Sequence, residues 1–167
     1  CLDRIKAACP DCKFILFLRD PVARAYSHWN MLKHNMKQEE LSFADAVDRE
    51  MTSLLKEPKN FGTALFHYVQ RGFYMDQIEE FLKRFKRDQL LVVIAERIRE
   101  NTMEEHNRIF SFLGVDPVDK FHSEDVHLGK YTEKISDRMK EKLRAIYQPH
   151  NERLFEFLGK RIPEWES

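Results

Sequence analysis

Two short runs of apolar residues, at positions 14–18 and 90–95, stand out in a chain whose other hydrophobic positions recur every three or four residues. A continuous apolar run of this length is typical of a strand in a parallel sheet that is covered on both faces. Both runs are far below the roughly 18–20 apolar residues that a membrane-spanning helix needs. The pattern therefore predicts two buried strands and no transmembrane segment in this sequence.

Amphipathic helices are predicted between and after the two strands, because apolar residues there follow the helical period. Asp20 and Pro21 mark the start of the first helix, since Asp is a favoured N-cap and Pro is tolerated at the first helical position. Gly114 is expected to end a helix as a left-handed cap, and Pro149 to kink or interrupt the last one. The apolar stripes cover roughly residues 22–36, 43–55, 74–85, 103–113 and 139–158.

Strands that alternate with helices predict an α/β fold, in which a P-loop-like, layered parallel sheet is flanked by helices. The length of 167 residues suits a single domain, 1–167, or a piece of a larger one. A parallel sheet of two strands leaves much apolar surface unpaired. Either further strands are hidden in the sequence, or the N-terminal strands of the sheet lie in a segment outside these residues.

The charge balance and the cysteines of the sequence argue against nucleic-acid binding, a disulfide framework and a zinc site. The 28 basic residues balance the 28 acidic ones, and zero net charge argues against non-specific nucleic-acid binding. Cys1, Cys9 and Cys12 form an odd, clustered set that is not a disulfide framework, so we interpret them as incidental thiols. No second Cys/His pair follows to complete a zinc site, and no metal is expected. Reduced thiols without an N-x-[ST] sequon favour the cytoplasm.

Arg19, Arg24 and Ser27 form the most informative constellation, within the stretch 14–29. Arg19 stands at the carboxyl end of the first predicted strand, where open α/β sheets place their ligands. Ser27 lies in the second turn of the following helix, and Arg24 shares its helix face three residues earlier. Two guanidiniums, a hydroxyl and a helix N-terminus suit a phosphate group. From the spacing alone, a simple capped strand-to-helix turn is the alternative.

The stretch from Arg19 to Ser27 reads Arg-Asp-Pro-Val-Ala-Arg-Ala-Tyr-Ser. It resembles the 3′-phosphate-binding motif of sulfotransferases that use 3′-phosphoadenosine-5′-phosphosulfate (PAPS). The resemblance is to the heparan-type and bacterial branch of that family, and it extends over nearly the whole chain. Further matches follow in the family's order: Arg71-Gly72-x-Tyr74, the predicted strand before Glu96, Phe112-Leu113-Gly114-Val115, and His150-Asn151-x-x-Leu154.

This resemblance implies the transfer of a sulfonate group from PAPS to an acceptor hydroxyl or amine, with adenosine 3′,5′-bisphosphate as the other product. Arg19 and Ser27 would bind the 3′-phosphate, while Arg24 would either assist or brace the helix through a salt bridge. Lys130 would belong to a loop that closes over the nucleotide. Arg71, like the nearby Tyr74, would line the nucleotide or acceptor cleft or be structural. The implied acceptor is a carbohydrate or a small alcohol.

The sequence departs from the family ahead of this motif. The family's 5′-phosphosulfate loop and general base precede the 3′-phosphate motif, whereas this sequence contains no G-x-x-x-x-G-K-[ST] loop. We therefore expect the C-terminal portion of a sulfotransferase domain, without the N-terminal half that would activate the sulfonate. The catalytic base stays unassigned, and this portion alone is expected to bind nucleotide weakly and not to catalyse. The compartment would be the cytoplasm for a microbial protein and the Golgi lumen for an animal one.

Two other functions stay open at this point. A P-loop kinase-like phosphotransferase fragment would share the layered fold but require Mg²⁺ and ATP. A non-catalytic nucleotide-binding module would need no phosphosulfate loop. The seven histidines form no H-x-x-x-H pair, and we expect them at surface or capping positions. His127 is the one candidate for an active-site role among them, because it lies beside the predicted closing loop.

Overall fold

The computed structural model describes residues 1–56, 64–118 and 134–166, so Lys130 and His127 lie outside the described residues. The strands are β1 (Phe14–Leu18) and β2 (Leu90–Ile94). Short 3₁₀ turns lie at Ala64–Phe66, Gln70–Gly72, Arg87–Gln89 and Pro163–Trp165, and a π-helical turn, Met31–Asn35, follows α2. The helices are α1 (Leu2–Ala8), α2 (Pro21–Asn30), α3 (Phe43–Lys56), α4 (Tyr74–Leu82), α5 (Ala95–Glu100), α6 (Thr102–Leu113) and α7 (Asp137–Leu158).

The two predicted strands pair in parallel, from Phe14 opposite Leu90 to Leu18 opposite Ile94. Helices α2, α3 and α4 lie between them along the chain, as a parallel connection requires. The α/β class is therefore confirmed. Within the described residues the sheet consists of these two strands, and Phe17 in β1 is 55% exposed.

The described residues divide into two compact units, each with its own core. The sheet unit comprises residues 1–19 and 76–118, and the helical unit comprises residues 20–56, 64–75 and 134–166. Apolar side chains of both strands, of α4 and the turn after it, and of α6 fill the core of the sheet unit: Leu18, Ile78, Phe81, Phe85, Val92, Val93 and Ile109. The core of the helical unit contains Val22, Ala25, Tyr26, Trp29, Leu32, Phe43, Val47, Tyr68, Leu143 and Tyr147.

Helix α2 begins where the sequence predicts it. The Asp20 side chain accepts hydrogen bonds from the backbone N–H groups of Val22 (3.1 Å) and Ala23 (3.2 Å). Pro21 is the first helical residue and needs no such acceptor. Asp20 thus satisfies two amides that have no partner inside the helix, and its role here is that of an N-cap.

The sequence predicts either a kink or an interruption at Pro149, and helix α7 shows no interruption there. The helix runs without interruption from Asp137 to Leu158, with Pro149 inside it. The carbonyl that loses its intrahelical partner at this proline belongs to Ala145. Both residues are exposed, so water can hydrogen-bond to that carbonyl. Among the described ranges, no helix is both long and apolar enough to cross a membrane, α7 included.

Cys9 and Cys12 form a disulfide, so the interpretation of these residues as incidental thiols is wrong. The turn after α1 brings their Cα atoms to 5.4 Å, a separation that a disulfide can span. Nε2 of Gln89 donates hydrogen bonds to the carbonyls of Pro10 and Cys12, each at 2.9 Å. The turn is therefore fastened to the segment that enters β2. Cys1 is free and exposed.

Candidate functional site

Arg19 lies at the carboxyl end of β1, as the sequence predicts. It follows the last residue of the strand and immediately precedes the Asp20 cap. Its side chain is partly exposed rather than part of the core. This edge of a parallel sheet is where α/β proteins bind ligands, and a guanidinium suits an anionic one.

Ser27 and Arg24 lie in α2, in the helical unit. Ser27 is partly exposed, between the buried Tyr26 and His28. Nη2 of Arg24 donates a hydrogen bond to the backbone carbonyl of Tyr68. This contact ties α2 to the backbone at Tyr68 through a carbonyl and not through a carboxylate, and the part of Arg24 in nucleotide binding stays a prediction.

The carboxylate of Glu50, on the buried face of α3, holds the backbone that leads to Arg71. Its Oε2 accepts hydrogen bonds from the N–H groups of Tyr68 (2.6 Å) and Val69 (2.7 Å), and its Oε1 accepts one from Gln70 (2.8 Å). Burial raises the pKa of Glu50, and the three backbone donors offset part of this effect. These bonds fix the start of the 3₁₀ turn in which Arg71 lies.

The side chain of Tyr68 is held by a second buried carboxylate, that of Glu39. The Tyr68 hydroxyl donates to Oε2 of Glu39 at 2.6 Å, and Arg49 donates to the same oxygen at 2.7 Å. Burial alone would raise the pKa of Glu39, but the hydrogen bonds from Tyr68, the Leu41 N–H and Arg49 bring it below its usual value. Burial, with Glu39 next to it, raises the pKa of Tyr68, so this hydroxyl keeps its proton and acts as a donor.

Tyr147 of α7 lies against the same 3₁₀ turn and is fully buried. Its hydroxyl donates to the carbonyl of Val69 at 3.1 Å, and its ring lies directly over Gly72. Tyr74 is also buried, and its ring contacts that of Trp165 with 5.8 Å between centroids. Gly72 and Tyr74 of the Arg-Gly-x-Tyr motif therefore pack inside the helical unit.

Arg71, in contrast, is exposed, and its positive charge acts on His28 in α2. Burial lowers the pKa of His28 to about 4, and the positive charges of Arg71 and Arg24 add to this effect. The His28 side chain packs edge-on against Tyr68, with 5.2 Å between ring centroids. The expectation of a surface or capping role for His28 is thus wrong. His28, which follows Ser27, is therefore neutral at pH 7, and the two guanidiniums act on it from Arg24 and Arg71.

A cleft of about 400 Å³ opens at the start of α2 in the helical unit. Its charged side chains are of both signs, because Arg161 pairs with Glu152 at 2.8 Å and with Glu166. These paired charges largely neutralise one another, so Arg161 adds little to the attraction of an anion into the cleft. The lining consists of Asp20, Pro21, Val22, Arg144, Ala145, Tyr147, Gln148, Asn151, Glu152, Phe155, Arg161, Trp165 and Glu166.

Sequence reasoning missed the two buried carboxylates, although one of them left a signal. Glu50 shares the apolar stripe of α3 with Phe43 and Val47, a position at which a charged residue is unusual unless it has buried partners. Those partners lie 18 to 20 residues further along the chain, in a segment with no regular pattern. Among the predicted site residues, Arg24 and Arg71 both lower the pKa of His28 through their positive charges. Lys130 lies outside the described ranges.

A family profile of the sulfotransferase domain matches residues 4–128, a span that includes Arg19, Ser27 and Arg71. Among curated proteins, the chain is 25% identical over 197 residues to carbohydrate sulfotransferase 15 of Mus musculus. It is 24% identical over 180 residues to heparan sulfate glucosamine 3-O-sulfotransferase 3B1 of the same organism. The structure also aligns with that of a sulfotransferase from Alicyclobacillus acidocaldarius, with a TM-score of 0.77 and 25% sequence identity.

These alignments use nearly all of this chain but only part of the other proteins. They cover 99% and 94% of the chain for the two curated relatives, and 33% and 44% of the relatives themselves. The structural alignment covers 99% of this chain and 62% of the bacterial one. The chain thus spans about a third to less than half of the curated relatives that it matches.

Proposed function

We propose that this chain forms part of an enzyme that transfers a sulfonate group from PAPS to an acceptor. The chain belongs to the sulfotransferase domain family. The observation that carries this proposal is the family match over residues 4–128, within which Arg19 and Ser27 keep the order of the 3′-phosphate motif. The acceptor group would be a hydroxyl or an amine. A kinase-like phosphotransferase is disfavoured, since the relatives are sulfotransferases.

The residues of this chain would act by holding the nucleotide. The Arg19 guanidinium would make paired hydrogen bonds to the 3′-phosphate, and the Ser27 hydroxyl would donate one more. Arg71 and Arg24 would add positive charge next to Ser27, and Lys130 would contact the nucleotide from a closing loop. Fixing the 3′-phosphate fixes the rest of the nucleotide, and catalysis of group transfer depends largely on such positioning and on charge stabilisation.

PAPS would supply an activated sulfonate, which an acceptor oxygen or nitrogen attacks at sulfur. The sulfur–oxygen bond to the nucleotide breaks, adenosine 3′,5′-bisphosphate leaves, and the proton of the acceptor passes to a base. This sequence contains no Gly-rich loop with Lys and Ser or Thr, so we assign the contacts to the 5′-phosphosulfate to residues outside it. By the same resemblance, we place the base outside it as well.

We further propose a carbohydrate acceptor, with a small alcohol as the alternative. Support comes from the names of the relatives, a carbohydrate sulfotransferase and a heparan sulfate glucosamine 3-O-sulfotransferase. Such an enzyme would work in the Golgi lumen if the protein comes from an animal, and in the cytoplasm if it is microbial.

Calorimetric titration with adenosine 3′,5′-bisphosphate and with 5′-AMP tests whether the donor nucleotide carries a 3′-phosphate, as PAPS does. These two ligands differ only in the 3′-phosphate that Arg19 and Ser27 are proposed to hold. We expect tighter binding of the bisphosphate, and no requirement for Mg²⁺. Equal binding of the two nucleotides would contradict the proposal, and a Mg²⁺-dependent preference for ATP would favour a kinase-like phosphotransferase instead.

A further inference from the structure

We propose that Glu50 is a positioning residue of the nucleotide site: its carboxylate holds the backbone of residues 68–70 so that Arg71 is presented next to the α2 face that carries Ser27. This inference rests on the proposed function, because it takes that face to be part of the nucleotide site. No substrate contact by Glu50 itself is involved.

The contacts of Glu50 are unusual for a side chain that only fills space. Both carboxylate oxygens accept hydrogen bonds, at 2.6, 2.7 and 2.8 Å, and all three donors are consecutive backbone N–H groups. The residue is 5% exposed. A buried carboxylate is costly unless charge-assisted hydrogen bonds compensate it, so an apolar residue would be the cheaper choice for packing alone. We therefore interpret the role of the carboxylate as holding these three backbone amides in place.

The carbonyl groups of the same backbone are also held by hydrogen bonds. The carbonyl of Tyr68 accepts a hydrogen bond from Arg24, and that of Val69 accepts one from Tyr147 at 3.1 Å. The residue after Arg71 is Gly72, which packs directly against the Tyr147 ring. Arg71 is thus an exposed residue whose neighbours on both sides are buried and held, which gives its guanidinium a defined starting point.

Arg71 is exposed to solvent, but its positive charge also acts on a side chain of α2. Arg71 is among the groups that lower the pKa of His28, the residue that follows Ser27. The segment that leads to Arg71 also packs against this side of α2, because the His28 ring lies against that of Tyr68. Arg24, three residues before Ser27 on the same helix face, donates to the Tyr68 carbonyl. Loss of the Glu50 carboxylate would let the 68–70 backbone move, and the position of this charge would then be less well defined.

Glu39 offers a matched control. It is also 5% exposed and also belongs to the helical unit, but its carboxylate accepts from the Tyr68 hydroxyl, the Leu41 N–H and Arg49. Glu39→Gln therefore perturbs a buried carboxylate close to the same turn without removing a bond to the 68–70 amides. A general loss of stability would affect both variants, whereas positioning of Arg71 would affect Glu50→Gln alone.

The test compares dissociation constants for adenosine 3′,5′-bisphosphate in Glu50→Gln, Glu39→Gln, Arg71→Ala and the double variant Glu50→Gln/Arg71→Ala, with far-UV circular dichroism to establish folding. We expect Glu50→Gln to weaken binding about fivefold and Glu39→Gln less than about twofold. In the Arg71→Ala background, Glu50→Gln should add less than about twofold, because the residue that it positions is gone. If Glu50→Gln does not fold, Glu50→Asp replaces it, with a shorter carboxylate and the same expected direction.

Each contrary result has a distinct meaning. Weakening by Arg71→Ala without weakening by either Glu50 variant overturns the inference and leaves the proposed function standing. Equal weakening by Glu50→Gln and Glu39→Gln also overturns it, since the effect would then be general. If the wild-type chain binds the bisphosphate no better than 5′-AMP, the proposed function fails and the inference fails with it.

Discussion

Gly72 lies so close to Tyr147 that a β-carbon at position 72 would be 2.6 Å from Cε1 and 2.9 Å from Cζ of the tyrosine ring. On its other side the same β-carbon would be 3.0 Å from Cβ of Pro21. Because both neighbours are buried, neither has room to move away. We therefore expect Gly72→Ala to lower the free energy of unfolding by about 1–3 kcal/mol, the cost of overpacking a core, as measured by urea denaturation.

The control for this steric prediction is the same substitution in a Tyr147→Leu background. A smaller side chain at position 147 leaves space for the new β-carbon, so the penalty of Gly72→Ala should be clearly smaller there. Tyr147→Leu also removes the hydrogen bond to the Val69 carbonyl, and each penalty is therefore measured against its own background. An unchanged penalty in the leucine background would show that the cost arises from the contact with Pro21 instead of the contact with the ring.

Because the pKa of His28 is lowered, we expect the protein to lose stability in mildly acidic solution. Burial, together with Arg71 and Arg24, lowers its pKa from 6.5 to about 4, so between these values the unfolded chain binds a proton that the folded chain does not. The stability contributed by neutral His28 is complete above about pH 6.5 and is lost as the pH falls towards 4. Between pH 7 and pH 5 the loss should be about 2 kcal/mol, measured by urea denaturation.

His28→Gln isolates this contribution from the other groups that titrate in the same range. Glutamine does not titrate, so the difference in unfolding free energy between wild type and variant should shrink by about 2 kcal/mol from pH 7 to pH 5. A difference that stays constant between these pH values would mean that His28 can take up its proton in the folded state without cost.

The disulfide between Cys9 and Cys12 gives a prediction for the sheet unit. Crosslinking so short a segment restricts the unfolded chain only modestly, and the chain-entropy relation gives about 2 kcal/mol. Dithiothreitol should lower the unfolding free energy by about this amount, and Cys9→Ala/Cys12→Ala should behave like the reduced wild type. Cys1→Ser, which alters the free exposed thiol, should leave the stability unchanged.

Thiol titration under denaturing conditions checks the same pairing directly. The structure predicts that Cys1 reacts before reduction and that all three cysteines react after it. Three reactive thiols in the unreduced chain would contradict the disulfide and restore the interpretation of these residues as incidental thiols.

The features that the sequence predicted correctly have local signals. The apolar runs of β1 and β2 and the Asp20-Pro21 start of α2 each depend on residues next to one another in the chain. The contacts around Arg71 have no such signal, because Glu50 meets amides 18 to 20 residues away and Tyr147 comes from a distant helix. The C-x-x-C spacing was misread for a related reason, since it is equally compatible with free thiols and with a disulfide.

Arg19 and Ser27 carry the prediction that bears most directly on function. Arg19→Ala should weaken binding of adenosine 3′,5′-bisphosphate by about 1.5–3 kcal/mol, the scale of a hydrogen bond to a charged group, and Ser27→Ala by about 0.5–1.5 kcal/mol. Both variants should change binding of 5′-AMP much less, because that nucleotide lacks the phosphate in question. Arg4→Ala and Ser53→Ala, which alter exposed residues of α1 and α3, are the matched controls and should bind like wild type. A loss of less than a few tenths of a kcal/mol for Arg19→Ala would remove this residue from the site, whatever the family motif suggests.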